Sequence, residues 1–146
     1  MPTADELRAG IHGGVAALRT AIQVSEANWE TAKGTAEDGE AGWSPRQVAE
    51  HVIPSTMMFA NGICAACGYD GPENPLTSTD MPTPADALAA LDAVVEAAAS
   101  KVQHVQDDEL GKSAGGEGLG AAPVAMLMQG AMWHFVDHAA QISNPF

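Results

Sequence analysis

The chain has 146 residues, enough for one domain whose core needs neither a disulfide nor a partner to form. Aromatic residues make up 5% of it, alanine and glycine are abundant, and the β-branched residues are scattered, a composition that favours helices over a sheet. Nineteen acidic against six basic residues give a net charge of −13 spread along the chain; with no concentration of Lys and Arg, nucleic acid and membrane surfaces are excluded as partners.

Thr3 followed by Glu6 has the form of a capping box, and Leu7, Ile11, Val15, Leu18 and Ile22 then recur at helical spacing, so a first helix is expected to run to the region of Gly34. A polar, glycine-containing stretch from Gly34 to Gly42 leads to Ser44-Pro45-Arg46-Gln47, where Ser44 can cap, Pro45 suits the first helical position and Gln47 completes a box. The second helix carries Val48, Val52, Phe59, Ile63 and Ala66 on one stripe and ends near Gly68, before a loop from Tyr69 to Pro82. Thr83-Pro84-Ala85-Asp86 repeats the same start, and a third helix follows through Leu88, Leu91, Val95 and Val102 to about Val105. Asp107 to Ala122 holds five glycines and reads as a flexible loop. The fourth helix opens at Pro123 and carries Val124, Leu127, Met128, Ala131, Phe135, His138 and Ile142.

Four amphipathic segments without strand signals predict an all-α four-helix bundle, a single domain over residues 1–146. Met1 to Gly10 lacks a basic start and an apolar run, so a cytoplasmic location is expected. Met57, Met58, Met126, Met128 and Met132 read mainly as core, with Met58 a candidate pocket residue.

Among the five histidines, His134 and His138 stand four apart and project from one face of the fourth helix, about a turn from each other. Projection puts both on a shoulder of the apolar stripe, and His51 falls on the equivalent shoulder of the second helix. His104 and His12 project away from their stripes and do not read as ligands. Spacing alone leaves two readings open, a metal site or histidines that hydrogen-bond their neighbours.

The segment Gly42-Trp43-Ser44-Pro45-Arg46-Gln47-Val48-Ala49-Glu50-His51-Val52, taken with Trp133-His134-Phe135-Val136-Asp137-His138-Ala139-Ala140-Gln141-Ile142, resembles the DinB/YfiT-like superfamily. Its members start the second helix with W-[ST]-x-x-[EQ]-[VIL]-x-x-H-[LIV] and carry H-x-x-x-H-x-x-Q-[IL] on the fourth. The resemblance spans nearly the whole chain in helix order. It implies an unusual four-helix bundle in which His51, His134 and His138 ligate one divalent metal. The chain departs from the family at Ser55, where many members carry a glutamate, and at Pro54 just before it, which removes a helical hydrogen bond within a turn of His51. Asp137 and Ala139 also replace residues often found beside the helix-four motif.

A site of three neutral imidazoles leaves a coordination position open for water or substrate, the arrangement of a catalytic metal. Zinc is expected first, with nickel, iron or manganese as alternatives. The resemblance further implies an enzyme that uses a low-molecular-weight thiol such as bacillithiol, mycothiol or glutathione to attack a small electrophile, or a hydrolase. Gln141 is the candidate for a catalytic role, orienting a ligand or water; its alternative is an ordinary interhelical hydrogen bond. Asp137 reads as a second partner of the histidines or as a solvated acid.

Cys64 and Cys67 have redox spacing but fall near a helix end without the βαβ context of a thioredoxin-like site, so they read as two small buried or half-exposed thiols, with redox sensing or a further metal site as the rival. A third reading is a stress-associated binding module that performs no chemistry. Trp133 projects away from the stripe, to lie exposed or to meet a second copy in a homodimer.

Overall fold

In a computed structural model, residues 2–144 are described; Met1, Pro145 and Phe146, at the two ends of the domain expected over 1–146, lie outside the described residues. The regular structure of these residues is all helical: four α-helices, α1 (Ala4–Val24), α2 (Pro45–Cys67), α3 (Pro84–Val102) and α4 (Val124–Ser143), with four 3₁₀ segments between them. No described helix is long and apolar enough to cross a membrane.

The helix starts follow from their caps. Thr3 accepts the Glu6 N–H at 3.1 Å. Ser44 accepts from Gln47 N–H at 3.2 Å while the Gln47 side chain accepts from Ser44 N–H at 2.9 Å, and Thr83 and Asp86 form the same reciprocal pair. Gly68 closes α2 with a φ of 76°, a conformation in which a side chain is strained. α2 remains one helix across Pro54, and the Ser55 hydroxyl donates to the His51 carbonyl at 2.7 Å.

Three segments differ from expectation. α1 ends at Val24, ten residues before Gly34 (34 − 24), because the apolar repeat stops at Ile22 and Ser25 turns both its N–H and its hydroxyl back onto the Ile22 carbonyl. The chain then turns to bury Trp29, whose indole N–H donates to the Met81 carbonyl at 3.0 Å. The stretch before α2 is ordered as well. Ala36–Gly42 is helical in the 3₁₀ sense, with Thr35 and Asp38 as its capping box and a bend at Gly39 (φ 60°). Asp107–Ala122 contains 3₁₀ segments at Asp107–Glu109 and Gly118–Ala121. Its first part is held by the Ala4 N–H on the Asp107 carboxylate (2.7 Å), by burial of Glu109 and Leu110, and by backbone bonds from Val124 to Lys112 and from Ala125 to Leu110. α3 ends at Val102, three residues short of Val105.

Two core clusters result. One gathers Leu18 and Ile22 of α1, Val48, Val52 and Ile53 of α2, Leu91 and Val94 of α3, and Phe135 and Ile142 of α4. The other joins Leu7, Ile63, Val105, Leu110, Val124 and Met128. Met57 and Met128 are core, but Met58 and Met126 are exposed; the core methionine that periodicity missed is Met81, which lies in a loop. Trp133 is 54% exposed, as its projection placed it.

Candidate metal centre

His51 sits in the second turn of α2, fixed there by the Ser44 cap that sets the helix start. His134 and His138 face it from α4. Helical spacing on α4 and the packing of α2 against α4 bring all three together, with ring centroids 5.4 Å apart for His51 and His134, 5.0 Å for His51 and His138, and 4.6 Å for His134 and His138. One ring nitrogen from each lies within 4.8 Å of the others. A tetrahedral zinc with Zn–N bonds of about 2.0–2.1 Å holds its donors about 3.3–3.4 Å apart, so modest ring rotations close the set around an ion. His12 and His104 are exposed and stand outside the group, as their projections indicated.

The protonation of the cluster follows from its neighbours. Gln141 presents its amide Nε2 to the Glu40 carbonyl, which can only accept; its Oε1 is thereby turned to His138 Nδ1, 2.8 Å away. An amide oxygen can only accept, so Nδ1 carries a proton, and in the neutral ring the lone pair a metal ligand requires is then on Nε2. Burial, reinforced by the charges that His138 and His51 would carry, lowers the His134 pKa to about 4, so His134 is neutral at pH 7. The donor set therefore fits a divalent ion: three imidazoles, one kept neutral by burial and one oriented by a hydrogen bond at Nδ1.

Glu40 is the residue that sequence reasoning missed. It belongs to the Ala36–Gly42 segment, and its carboxylate lies 3.5 Å from His51 Nε2 at the exposed rim of the cluster. A site composed of imidazoles alone was expected; a carboxylate stands beside it. Its carbonyl is also the partner of Gln141, so Glu40 touches the surroundings of two histidines. The segment is anchored by Lys33, whose ammonium donates to the Gln141 and Ile142 carbonyls at the end of α4, and by the N–H groups of Lys33 and Gly34 on the Gly42 carbonyl. Trp43 packs edge-on against His51 at 5.3 Å, and Phe59 lies against His134 at 5.6 Å.

Asp137 is exposed, which favours the solvated acid. Cys64 is buried and Cys67, packed against the second core cluster, is half-buried, both as free thiols. Burial raises the Cys64 pKa, and burial together with the Glu109 carboxylate pushes Cys67 up to about 11. Both are therefore poor nucleophiles at neutral pH, unlike a redox pair.

The fold and the site define an all-helical protein with a three-histidine cluster that could hold a divalent metal. The chain belongs to the DinB superfamily, whose sequence model matches residues 13–142, a span that contains all three histidines, Gln141 and Glu40. Comparison with curated proteins and with solved structures returned no match.

Proposed function

We propose that the chain is a metal-dependent enzyme built as the DinB-type four-helix bundle, in which His51, His134 and His138 hold one divalent ion, zinc first and nickel, iron or manganese as alternatives, to activate a low-molecular-weight thiol for attack on a small electrophile. The observation that supports this reading most is the convergence of three imidazoles from two helices on one position, with no fourth imidazole or thiol in the group among the described residues. A bound divalent ion supplies Lewis acidity that makes a thiol or a water acidic near neutral pH. The chain's own groups do the rest. Gln141 keeps the proton of His138 on Nδ1, and the Glu40 carboxylate, beside His51 and open to solvent, accepts the S–H proton of the incoming thiol. The same carboxylate favours a second reading, a hydrolase in which Glu40 accepts a proton from water instead.

The experiment loads the full chain with zinc or nickel and offers 1-chloro-2,4-dinitrobenzene with glutathione, mycothiol or bacillithiol, and separately p-nitrophenyl acetate without thiol. In the first assay a C–S bond forms as the C–Cl bond breaks and chloride leaves. Thiol-dependent turnover lost in His138→Ala supports the transferase. Ester cleavage alone, lost in the same variant, supports the hydrolase. Equal rates with and without metal and in the variant overturn both.

A further inference from the structure

One further donor stands at the histidine cluster. Glu40 Oε1 lies 3.5 Å from His51 Nε2, and among the described residues no other carboxylate comes within 4.0 Å of a ring nitrogen of His51, His134 or His138. The length of that contact separates two kinds of pair. A charge-assisted hydrogen bond between an imidazole and a carboxylate closes to about 2.7–2.9 Å. An imidazole nitrogen and a carboxylate oxygen bound to one tetrahedral zinc, at about 2.0–2.2 Å each, stand about 3.3–3.5 Å apart. The observed separation is that of two ligands of one ion rather than of a donor and its acceptor.

The backbone of Glu40 is pinned while its carboxylate is not. Its carbonyl accepts from the Trp43 N–H at 3.1 Å and from Gln141 Nε2. Trp43 packs on His51 and Gln141 bonds His138, so the two groups that hold Glu40 also touch ligands on both helices. Its neighbour Asp38 is turned back onto the Thr35 N–H at 2.7 Å and is spent as a cap. The Glu40 side chain, 58% exposed, has His51 as its one ionic partner among the described residues. Its oxygens stand outside the group of donor atoms within 4.8 Å of one another, and an exposed, unbranched side chain can swing into that group at little cost. Charge favours the move, because neutral imidazoles leave a divalent ion its full charge and a carboxylate offsets half of it.

We propose that Glu40 is a fourth ligand, which takes the ion's remaining position in the resting protein and yields it to an incoming thiol or water. The Ala36–Gly42 segment then acts as an internal competitor for the position at which substrate binds. The inference rests on the three-histidine metal reading.

Cobalt(II) in place of zinc, loaded into the full chain, reports its coordination by its visible spectrum. Neutral imidazole, which Glu40 cannot repel, probes for an open position. Glu40→Gln keeps the size of the side chain and removes the charged ligand. The imidazole concentration that half-shifts the spectrum should fall about tenfold or more in this variant, and zinc affinity, read by chelator competition, should fall by about as much. Equal imidazole response in wild type and Glu40→Gln overturns the fourth ligand and leaves the three histidines in place, and does so even where zinc is weakened, since a remote charge would account for that loss. Cobalt that fails to bind, or binds His138→Ala as well as wild type, overturns the three-histidine reading and this inference with it.

Discussion

Gln141 does its work through one proton. By bridging the Glu40 carbonyl and His138 Nδ1 it selects the tautomer that leaves His138 Nε2 free to coordinate. Gln141→Ala should therefore weaken zinc by about 10–100-fold, the usual cost of removing a hydrogen-bond partner from a metal-ligating histidine, while leaving the melting temperature of the metal-free chain within a few degrees. Competition against a chromophoric chelator reads the first and a thermal melt the second; unchanged affinity would reduce Gln141 to an interhelical tie. His134 carries the pH dependence. Its pKa is about 4 in the fold against 6.5 when exposed, so between those values the unfolded chain binds the extra proton. The stability it contributes is complete above about pH 6.5 and is lost as pH falls through about 4. Metal-free protein should accordingly be less resistant to urea at pH 5 than at pH 7, and His134→Gln should flatten the profile; solvent access to the half-buried ring makes the effect modest. The common face of His134, His138 and Gln141 was legible in the sequence because a helix fixes the relative direction of residues three and four apart, whereas His51, on another helix, was joined to them by the family resemblance. Glu40 was not legible, since its position depends on a bend at Gly39 and on anchors from Lys33, more than a hundred residues from Gln141 in sequence.

At the scale of elements, the starts of α2 and α3 were readable to the residue because cap, proline and box each satisfy orphan N–H groups by local chemistry. Ends and short 3₁₀ pieces depend on distant contacts and were not. The 33–42 segment shows the consequence. A Cβ built on Gly42 comes within 2.7 Å of the Thr35 carbonyl oxygen and 3.1 Å of the Gly34 carbonyl carbon, both backbone atoms that cannot rotate away. Gly42→Ala should thus shift the segment, cost about 1–3 kcal/mol in urea unfolding, and weaken zinc by moving Glu40 away from Gln141. Gly13 is the control. It lies within α1 with no heavy atom near its virtual Cβ, so Gly13→Ala should stabilise by about 0.5–1 kcal/mol and leave the metal untouched. Equal behaviour of the two variants would show that the segment tolerates displacement and does not position the site.

For the whole molecule, the histidines staple two long helices. α2 contributes His51 and α4 contributes the other pair, and these helices meet along the face that also carries Val52 and Phe135 into the same core cluster. An ion that binds the three imidazoles binds the folded chain and has little affinity for the unfolded one, where the ligands lie 83 residues apart (134 − 51). Its stabilisation then follows from mass action: free zinc at about a hundred times its dissociation constant adds about 2.7 kcal/mol. At about 2–4 °C per kcal/mol for a chain of this size, the melting temperature should rise by about 5–11 °C on adding zinc and fall back with a chelator. His51→Ala and His138→Ala each remove a ligand from a different helix and should both abolish the rise, whereas His104→Ala, on an exposed position outside the cluster, should keep it. A rise that survives in both ligand variants would place the ion elsewhere and separate the fold of this superfamily from the metal chemistry proposed for its histidines.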